Sequence, residues 1–483
     1  MGSEGALIGR ESELAKLEAD LTCSRLVTVT GAGGCGKTRL ALELADRVAR
    51  KQQPPACAVA ELSSIADEQQ LVDALLAAAG VRERFGSTPT QVLLEFVAQR
   101  SVLLVLDNCE HLLAPVGALT GELLGAGAEL RVLATSREPL AVPAERVLVL
   151  RPLSVPGPAG GVGAVVRSDA ARLFVDRAAR SNPRFALTPA VAGAVAKICR
   201  ELDGLPLALE LAAARLDVLS AHEIADGLAR HGRLSAATGD DGIGRHSSLH
   251  ASLDWSYQLL DDPERLLLRR LSRFCGGFTA PAARAVAAPE TSPERVQRML
   301  DALEAKGLIV PMRAGRERRW TFLETVGEYA AAQLAAAGES EPIADLHLRW
   351  FRGYAARADS LLLEERGQES IDHERPNLRL ALDRAVEHDA SCALDIAASL
   401  MCYWVLAEHY REARSACAAV LSAVGEDADP AACAVVHCGA GLIGMLSEDY
   451  AGAIASTQPV SGCSATWRIQ AHRPRVCSSL RWC

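Results

Sequence analysis

Apolar residues fall into two rhythms along this chain. In the first third, short runs are apolar almost without interruption: Leu26–Thr30, Ala56–Leu62, Ser101–Asp107, Leu130–Thr135 and Arg146–Leu150. Runs of this length, separated by helical stretches, predict strands buried on both faces of a parallel sheet. Elsewhere apolar positions recur every three or four residues, the spacing of an amphipathic helix. The stretch Ala6–Leu21 predicts a short lead-in and then a helix, with Ser12 as its N-cap. Residues 1–155 therefore read as one doubly wound α/β domain.

Past a glycine-rich linker, Ser154–Ser168, periodic alanine and leucine predict a small helical bundle over residues 165–236. A polar break at Ala237–Ser247 follows. Residues 246–336 give helices, a candidate third helix at Ser292–Leu308, and strand-like runs at Leu308–Met312 and Arg318–Glu324. Helices followed by a hairpin are the pattern of a winged helix. Arg313, Arg316, Arg318 and Arg319 crowd that hairpin, which can be read as a DNA contact or, more plainly, as a solvated tip. Residues 340–455 are helical again. Cys392–Leu421 and Ala432–Ser456 carry small-residue placements resembling tetratricopeptide repeats, whose stacks offer a concave surface to a protein partner. A plain helical cap is the alternative. Residues 456–483 lose the period and hold no acidic residue, so they read either as an out-of-frame stretch or as a natural disordered tail. On the first reading the chain is a truncated form of a longer regulator.

The first strand breaks into its helix through a loop that carries chemistry. Val27–Leu44 reads VTVTGAGGCGKTRLALEL, and Gly31-x-x-x-x-Gly36-Lys37-Thr38 is the phosphate-loop spacing in the strand-to-helix setting it requires. Glycines let backbone N–H groups curl around phosphate oxygens, the lysine reaches the outer phosphates, and the threonine hydroxyl ligates Mg²⁺. Gly31, Gly33, Gly34, Cys35, Gly36, Lys37, Thr38 and Arg39 are thus the candidate contacts to ATP or ADP, with Cys35 a small filler. A second element, VLLVLDNCEH, delivers Asp107 at the carboxyl end of a strand, where open α/β sheets bind ligands. With Thr38 it forms the candidate Mg²⁺ site. Many phosphate-loop ATPases place a glutamate directly after this aspartate to polarise water, but here the residue is Asn108, which cannot take a proton. Glu110 is a weak candidate for that role and equally a solvated carboxylate. In a third element, LATSREPL, Arg137 stands at the same sheet edge and is either a sensor of the γ-phosphate or a polar strand end.

Composition narrows the reading. A chain of 483 residues exceeds what one core supports, so several domains are expected. A net charge of −9 and a pI near 5.8 disfavour direct nucleic-acid binding as the main task. The chain opens with no basic-then-apolar leader and its apolar stretches are broken by charges, so a cytoplasmic protein with no membrane contact is expected. The 14 cysteines form no CxxC pair and the 11 histidines show no ligand spacing, which predicts neither a zinc site nor a disulfide framework.

LIGRESEL, the phosphate loop, LLVLDNCEHL, LRVLATSREPL, ICRELDGLPLALELAAARL, ASLDWSYQLL and FLETVGEYA stand here in the order and spacing of the STAND-type signal-transduction ATPases. Over about residues 6–455 the chain resembles the bacterial branch with an NB-ARC-like nucleotide module, whose members often carry LuxR-type or SARP-type DNA-binding domains. The resemblance implies an α/β P-loop NTPase domain, an all-α lid, a winged helix and α-helical repeats. It also implies a switch held closed by ADP and opened by ATP, with slow hydrolysis. By resemblance, Arg137 is the γ-phosphate sensor, Gly9 and Arg10 flank the adenine and ribose, and Pro206 packs on the adenine. The family's winged-helix His-Asp pair is here Leu323-Glu324, so the ADP lock is weaker or built otherwise.

The leading expectation is an ATP/ADP-binding switch in transcriptional regulation, a weak ATPase at most. Room remains for a nucleotide-dependent oligomer. The alternatives are a DNA-binding factor acting through its own winged helix and a continuously cycling ATPase.

Overall fold

A computed structural model describes residues 7–51, 54–63, 65, 67–81, 87–157, 162–237, 245–312, 317–425, 428–447, 454 and 456. Five parallel strands form the first sheet: β1 (Leu26–Thr30), β2 (Ala56–Glu61), β3 (Val102–Asp107), β4 (Leu130–Ser136) and β5 (Arg146–Val149), in the order β2-β3-β4-β1-β5. Helices α1 (Glu11–Cys23), α2 (Lys37–Ala49), α3 (Glu68–Ala79), α4 (Pro89–Ala98) and α5 (Leu113–Ala126) complete the domain. The expectation of strands buried on both faces holds for β1, β3 and β4. At the edges it does not: Cys57 on β2 and Val147 and Val149 on β5 are exposed. An edge strand keeps its apolar sequence while losing half its cover, which a run of hydrophobic letters cannot reveal. Helix α1 starts one residue before the expected cap; Arg10 is its N-cap, and the Ser12 hydroxyl turns to Glu13 instead.

The helical bundle follows as α6 (Val162–Arg167), α7 (Asp169–Ser181), α8 (Pro189–Glu201), α9 (Pro206–Ala213), a 3₁₀ turn (Ala214–Asp217), α10 (Ala221–Ala237) and α11 (Arg245–Gln258). The winged helix comprises α12 (Asp262–Leu271), β6 (Phe278–Thr279), α13 (Ala280–Ala287), α14 (Pro293–Ala305), β7 (Val310–Met312), β8 (Arg319–Thr321) and α15 (Glu324–Ala336). Its hairpin is joined by a third strand, giving the order β6-β8-β7. The two residues of β6 are too short for any period to show. The α-helical repeats are α16 (Ser340–Ala355), α17 (Ala358–Leu361), α18 (Gly367–His388), α19 (Ala390–Leu406), α20 (Tyr410–Ala423) and α21 (Pro430–Leu446). The fold is thus an α/β P-loop domain followed by helical units and repeats.

Three main cores hold these parts. One sheet face shares a continuous core with the bundle and the winged helix, running from Leu40 and Val105 through Phe174 to Leu267 and Trp320. The other face packs separately on α3, α4 and α5, and the repeats have a core of their own. Because the first core crosses three units, the phosphate-loop edge of the sheet is buried against helices from later in the chain. Arg313, Arg316 and nearly all of the 456–483 tail lie outside the described residues.

Candidate functional site

The loop after β1 is shaped for an anion before any ligand is considered. Gly36, the N-cap of α2, has φ +96, a left-handed conformation that side chains rarely adopt. Lys37 is buried, and its Nζ donates to the carbonyls of Gly31 at 3.0 Å and Ala32 at 3.3 Å. This holds the ammonium at the glycine loop and the N-terminus of α2, where a phosphate would be bound.

Opposite it, the Thr38 hydroxyl donates to Asp107 Oδ1 at 2.8 Å, and Thr135 donates to the same oxygen. Burial raises the pKa of Asp107, while the two hydroxyls hold it down. A hydroxyl and a carboxylate meeting beside a glycine loop are the donor set Mg²⁺ uses in such proteins. The residues present therefore fit a Mg–nucleotide. Asn108 has φ +64 and its N–H bonds the Thr135 hydroxyl at 3.0 Å. Asparagine tolerates this left-handed conformation better than glutamate, so the residue after Asp107 has a backbone reason for its identity as well as a chemical consequence.

Arg137 is held on both sides: its Nε donates to Glu110 Oε1 at 3.0 Å and an Nη to Glu328 Oε1 at 2.6 Å. Glu328 lies on α15 of the winged helix, 191 residues away in sequence. Glu110 is thus occupied as the partner of Arg137, although its Oε2 is buried with no partner among the described residues. Burial works against the Arg137 charge, but Glu328, Glu324 and Glu110 outweigh it and hold its pKa above the ordinary value. Glu324, at the start of α15, has its pKa raised to about 7 by burial and by Glu110. The same turn of α15 lies on the loop: a Cβ at Gly33 would come within 2.7 Å of the Thr325 methyl.

The remaining candidates surround the loop. Arg10 is buried and donates to the Cys35 carbonyl at 3.1 Å, tying the lead-in to the loop. Gly9, with φ +69, abuts Asp169 of α7. Pro206 opens α9, whose next residue, Leu207, donates its N–H to the Gly34 carbonyl at 3.2 Å. Arg39 reaches Glu210 on α9 at 3.1 Å. Gly9, Arg10, Gly31 to Arg39, Asp107, Glu110, Arg137 and Pro206 are thus brought together from five segments. Sequence reasoning does not reach Thr325 or Glu328, which no spacing links to the loop.

The two described hairpin arginines are each paired with carboxylates of the chain, and Arg319 alone is buried. Arg318 bonds Asp301 at 3.0 Å and Glu304 at 2.8 Å, and Arg319 is buried in an ion pair with Glu374 of α18.

No family model matches the chain. It is 36% identical over 341 residues to the uncharacterised protein Rv0894 of Mycobacterium tuberculosis, a match covering 70% of this chain and 84% of that protein. The corresponding Mb0918 of Mycobacterium bovis matches to the same extent. Rv0890c of M. tuberculosis, named as an HTH-type transcriptional regulator, is 39% identical over 410 residues, covering 83% of this chain and 44% of that protein. The chain therefore spans less than half the length of Rv0890c. Among solved structures, the STAND protein PH0952 of Pyrococcus horikoshii, with a tetratricopeptide repeat sensor, aligns over 96% of this chain and 78% of its own at 15% identity and a TM-score of 0.42. Among the described residues, no helix is long and apolar enough to cross a membrane.

Proposed function

We propose that this chain, which belongs to the family of the mycobacterial proteins Rv0894 and Mb0918 and is a P-loop ATPase of the STAND type, is a nucleotide-controlled switch within a regulator of transcription. The observation that carries the reading is the position of Arg137, bound to Glu110 on its own domain and to Glu328 on the winged helix. ADP ends at the β-phosphate, served by Lys37 and the loop. ATP adds a γ-phosphate at the sheet edge where Arg137 stands. A charge-assisted hydrogen bond contributes about 1.5–3 kcal/mol, whereas an exposed ion pair contributes about 0.2–1 kcal/mol. The γ-phosphate therefore wins the guanidinium from Glu328, and α15 loses a tie to the loop. Only a ligand that distinguishes the two states can shift them, and Arg137 supplies the distinction.

Bound Mg²⁺ would be held by Thr38 and, through its surroundings, Asp107, and would neutralise phosphate charge. The chain's own residues do little to activate water: Asn108 has no base and Glu110 is engaged by Arg137. Turnover well below the roughly 1–10³ s⁻¹ of typical enzymes follows. The continuously cycling ATPase is disfavoured for that reason. DNA binding by the winged helix is disfavoured because Arg318 and Arg319 are spent on internal carboxylates. The name of Rv0890c supports a transcriptional setting, with a protein partner on the repeats as the output.

Identification of the nucleotide that copurifies, with titration of ADP and ATP into wild type and Lys37→Ala, tests the reading. Nucleotide in the purified protein and loss of both affinities in the variant are expected. Unchanged affinity in Lys37→Ala overturns it.

A further inference from the structure

A second carboxylate stands beside Asp107 on the neighbouring strand. β2 and β3 run parallel with Glu61 paired to Asp107, the last residue of each strand, and the Leu62 N–H donates to the Asp107 carbonyl at 2.9 Å. Paired residues of adjacent strands, about 4.8 Å apart, send their side chains to the same face of a sheet. The burial pattern identifies that face. Leu103 and Val105 of β3 enter the core shared with α2, and Val59 of β2 packs against it, whereas Ala58, Ala60, Leu104 and Leu106 belong to the core on the opposite face. Asp107 and Glu61 continue the first series, and the Asp107 bond to Thr38 of α2 agrees with it. Both carboxylates therefore stand on the α2 face of the sheet edge.

The other neighbour in this row shows what the spacing allows. Leu106 pairs with Ala134 of β4, so Thr135 follows opposite Asp107, and its hydroxyl donates to Asp107 Oδ1. Side chains adjacent in the row are thus within reach of one another. Glu61 is one methylene longer than an aspartate, and the Ser63 hydroxyl donates to its Oε1 at 3.1 Å. The residue as a whole is exposed, yet the protein atoms around its carboxyl raise its pKa; the Ser63 bond lowers it, and the Asp107 charge adds to the rise. No cationic side chain figures among these influences. Two like charges side by side repel, and a cation placed against both removes the repulsion. Mg²⁺ suits such a place, because it keeps several of its waters when protein oxygens bind it, and those waters donate to carboxylates around the ion.

We infer that Glu61 is a positioning residue of the Mg²⁺ site, accepting a hydrogen bond from a water of the ion's shell while Thr38 and Asp107 supply the nearer oxygens. It acts on the ion and not on the phosphates, so it sets metal affinity without setting the affinity for metal-free nucleotide. The inference rests on the nucleotide reading, since the ion binds together with the phosphates.

Mn²⁺, which takes the same oxygen ligands as Mg²⁺, reports on the site through electron paramagnetic resonance. It is titrated into an equimolar complex of the full chain with the non-hydrolysable imido analogue of ATP, and the analogue alone is titrated calorimetrically into the chain in EDTA. Wild type should bind both, and Thr38→Ala should lose Mn²⁺ affinity. Failure of either overturns the nucleotide reading, and the inference with it. With both in place, Glu61→Gln should weaken Mn²⁺ about tenfold and leave metal-free analogue affinity unchanged. Glu61→Asp, which keeps the charge on a shorter arm, should recover part of that loss, with melting curves establishing that both variants fold. Unchanged Mn²⁺ affinity in Glu61→Gln, or an equal loss of metal-free analogue affinity, overturns the role of Glu61 and leaves the nucleotide reading standing.

Discussion

The winged helix is joined to its two neighbours in opposite ways. Toward the repeats, Arg319 and Glu374 form an ion pair in which both side chains are at most 5% exposed. Asn377 extends it, donating to Glu374 Oε2 and the Gly277 carbonyl, each at 2.9 Å, and accepting from the Cys275 N–H at 2.8 Å. Val286, Leu334 and Ile343 close an apolar patch across the same junction. Toward the nucleotide domain, beside the shared apolar core, the polar tie is Arg137 to Glu328, with side chains 34% and 53% exposed. A buried ion pair is costly to form and more costly to break singly, whereas an exposed one is nearly neutral. One polar tie is therefore expensive to break, and the other costs little to exchange.

The contrast can be broken most forcefully on its buried side. Glu374→Ala leaves the Arg319 guanidinium buried without its partner and should destabilise the protein by about 3–5 kcal/mol, read from denaturant unfolding. A loss below about 1 kcal/mol would place this pair with the exposed ones. On the exposed side, Arg137→Ala should weaken ATP by about ten- to a hundredfold while leaving ADP nearly unchanged in calorimetric titration. Equal loss for both nucleotides would make Arg137 structural.

A smaller effect belongs to Glu324, whose carboxyl pKa rises from 4.5 in the unfolded chain to about 7 in the folded one. The folded protein then holds the proton more tightly, so the stability this group contributes is complete below about pH 4.5 and is lost as pH rises through about 7. Glu324→Gln should be neutral at pH 4.5 and stabilising at pH 8 by on the order of 1 kcal/mol, since the partly exposed group is screened by solvent. A pH-independent difference in melts would remove Glu324 from the junction. The smallest expected change is in Glu328→Gln, which frees Arg137 in advance. ATP affinity should rise about two- to fivefold with ADP unaffected.

Much of the nucleotide domain was legible because its signals are local. Gly31 to Thr38 sit within one loop, and Asp107 is fixed by the strand that ends on it. The junctions were not legible, because they depend on which face of α15 meets the loop, and α15 carries buried Val326 and Tyr329 as well as the outward Glu328. Arg319 shows the same limit from the other side: flanked by Arg316 and Arg318 it reads as part of a solvated basic tip. Only the pairing of β8 between β6 and β7 turns it inward to Glu374. Asn108 was legible as a missing base, but its left-handed backbone needed coordinates. The mistaken cap at Ser12 came from reading a common capping residue without knowing that Arg10 is drawn into the interior by the Cys35 carbonyl.

The Arg319–Glu374–Asn377 junction also has a mechanical meaning. It makes the winged helix, whose α15 meets the phosphate loop, and α18 of the repeats one stiff body. In a stiff body a rotation displaces each point in proportion to its distance from the axis, so on the proposed switch a turn of α15 at the loop would be passed on to α18. On the proposed switch, stiffness at that junction decides how much of a movement at the loop reaches the repeats.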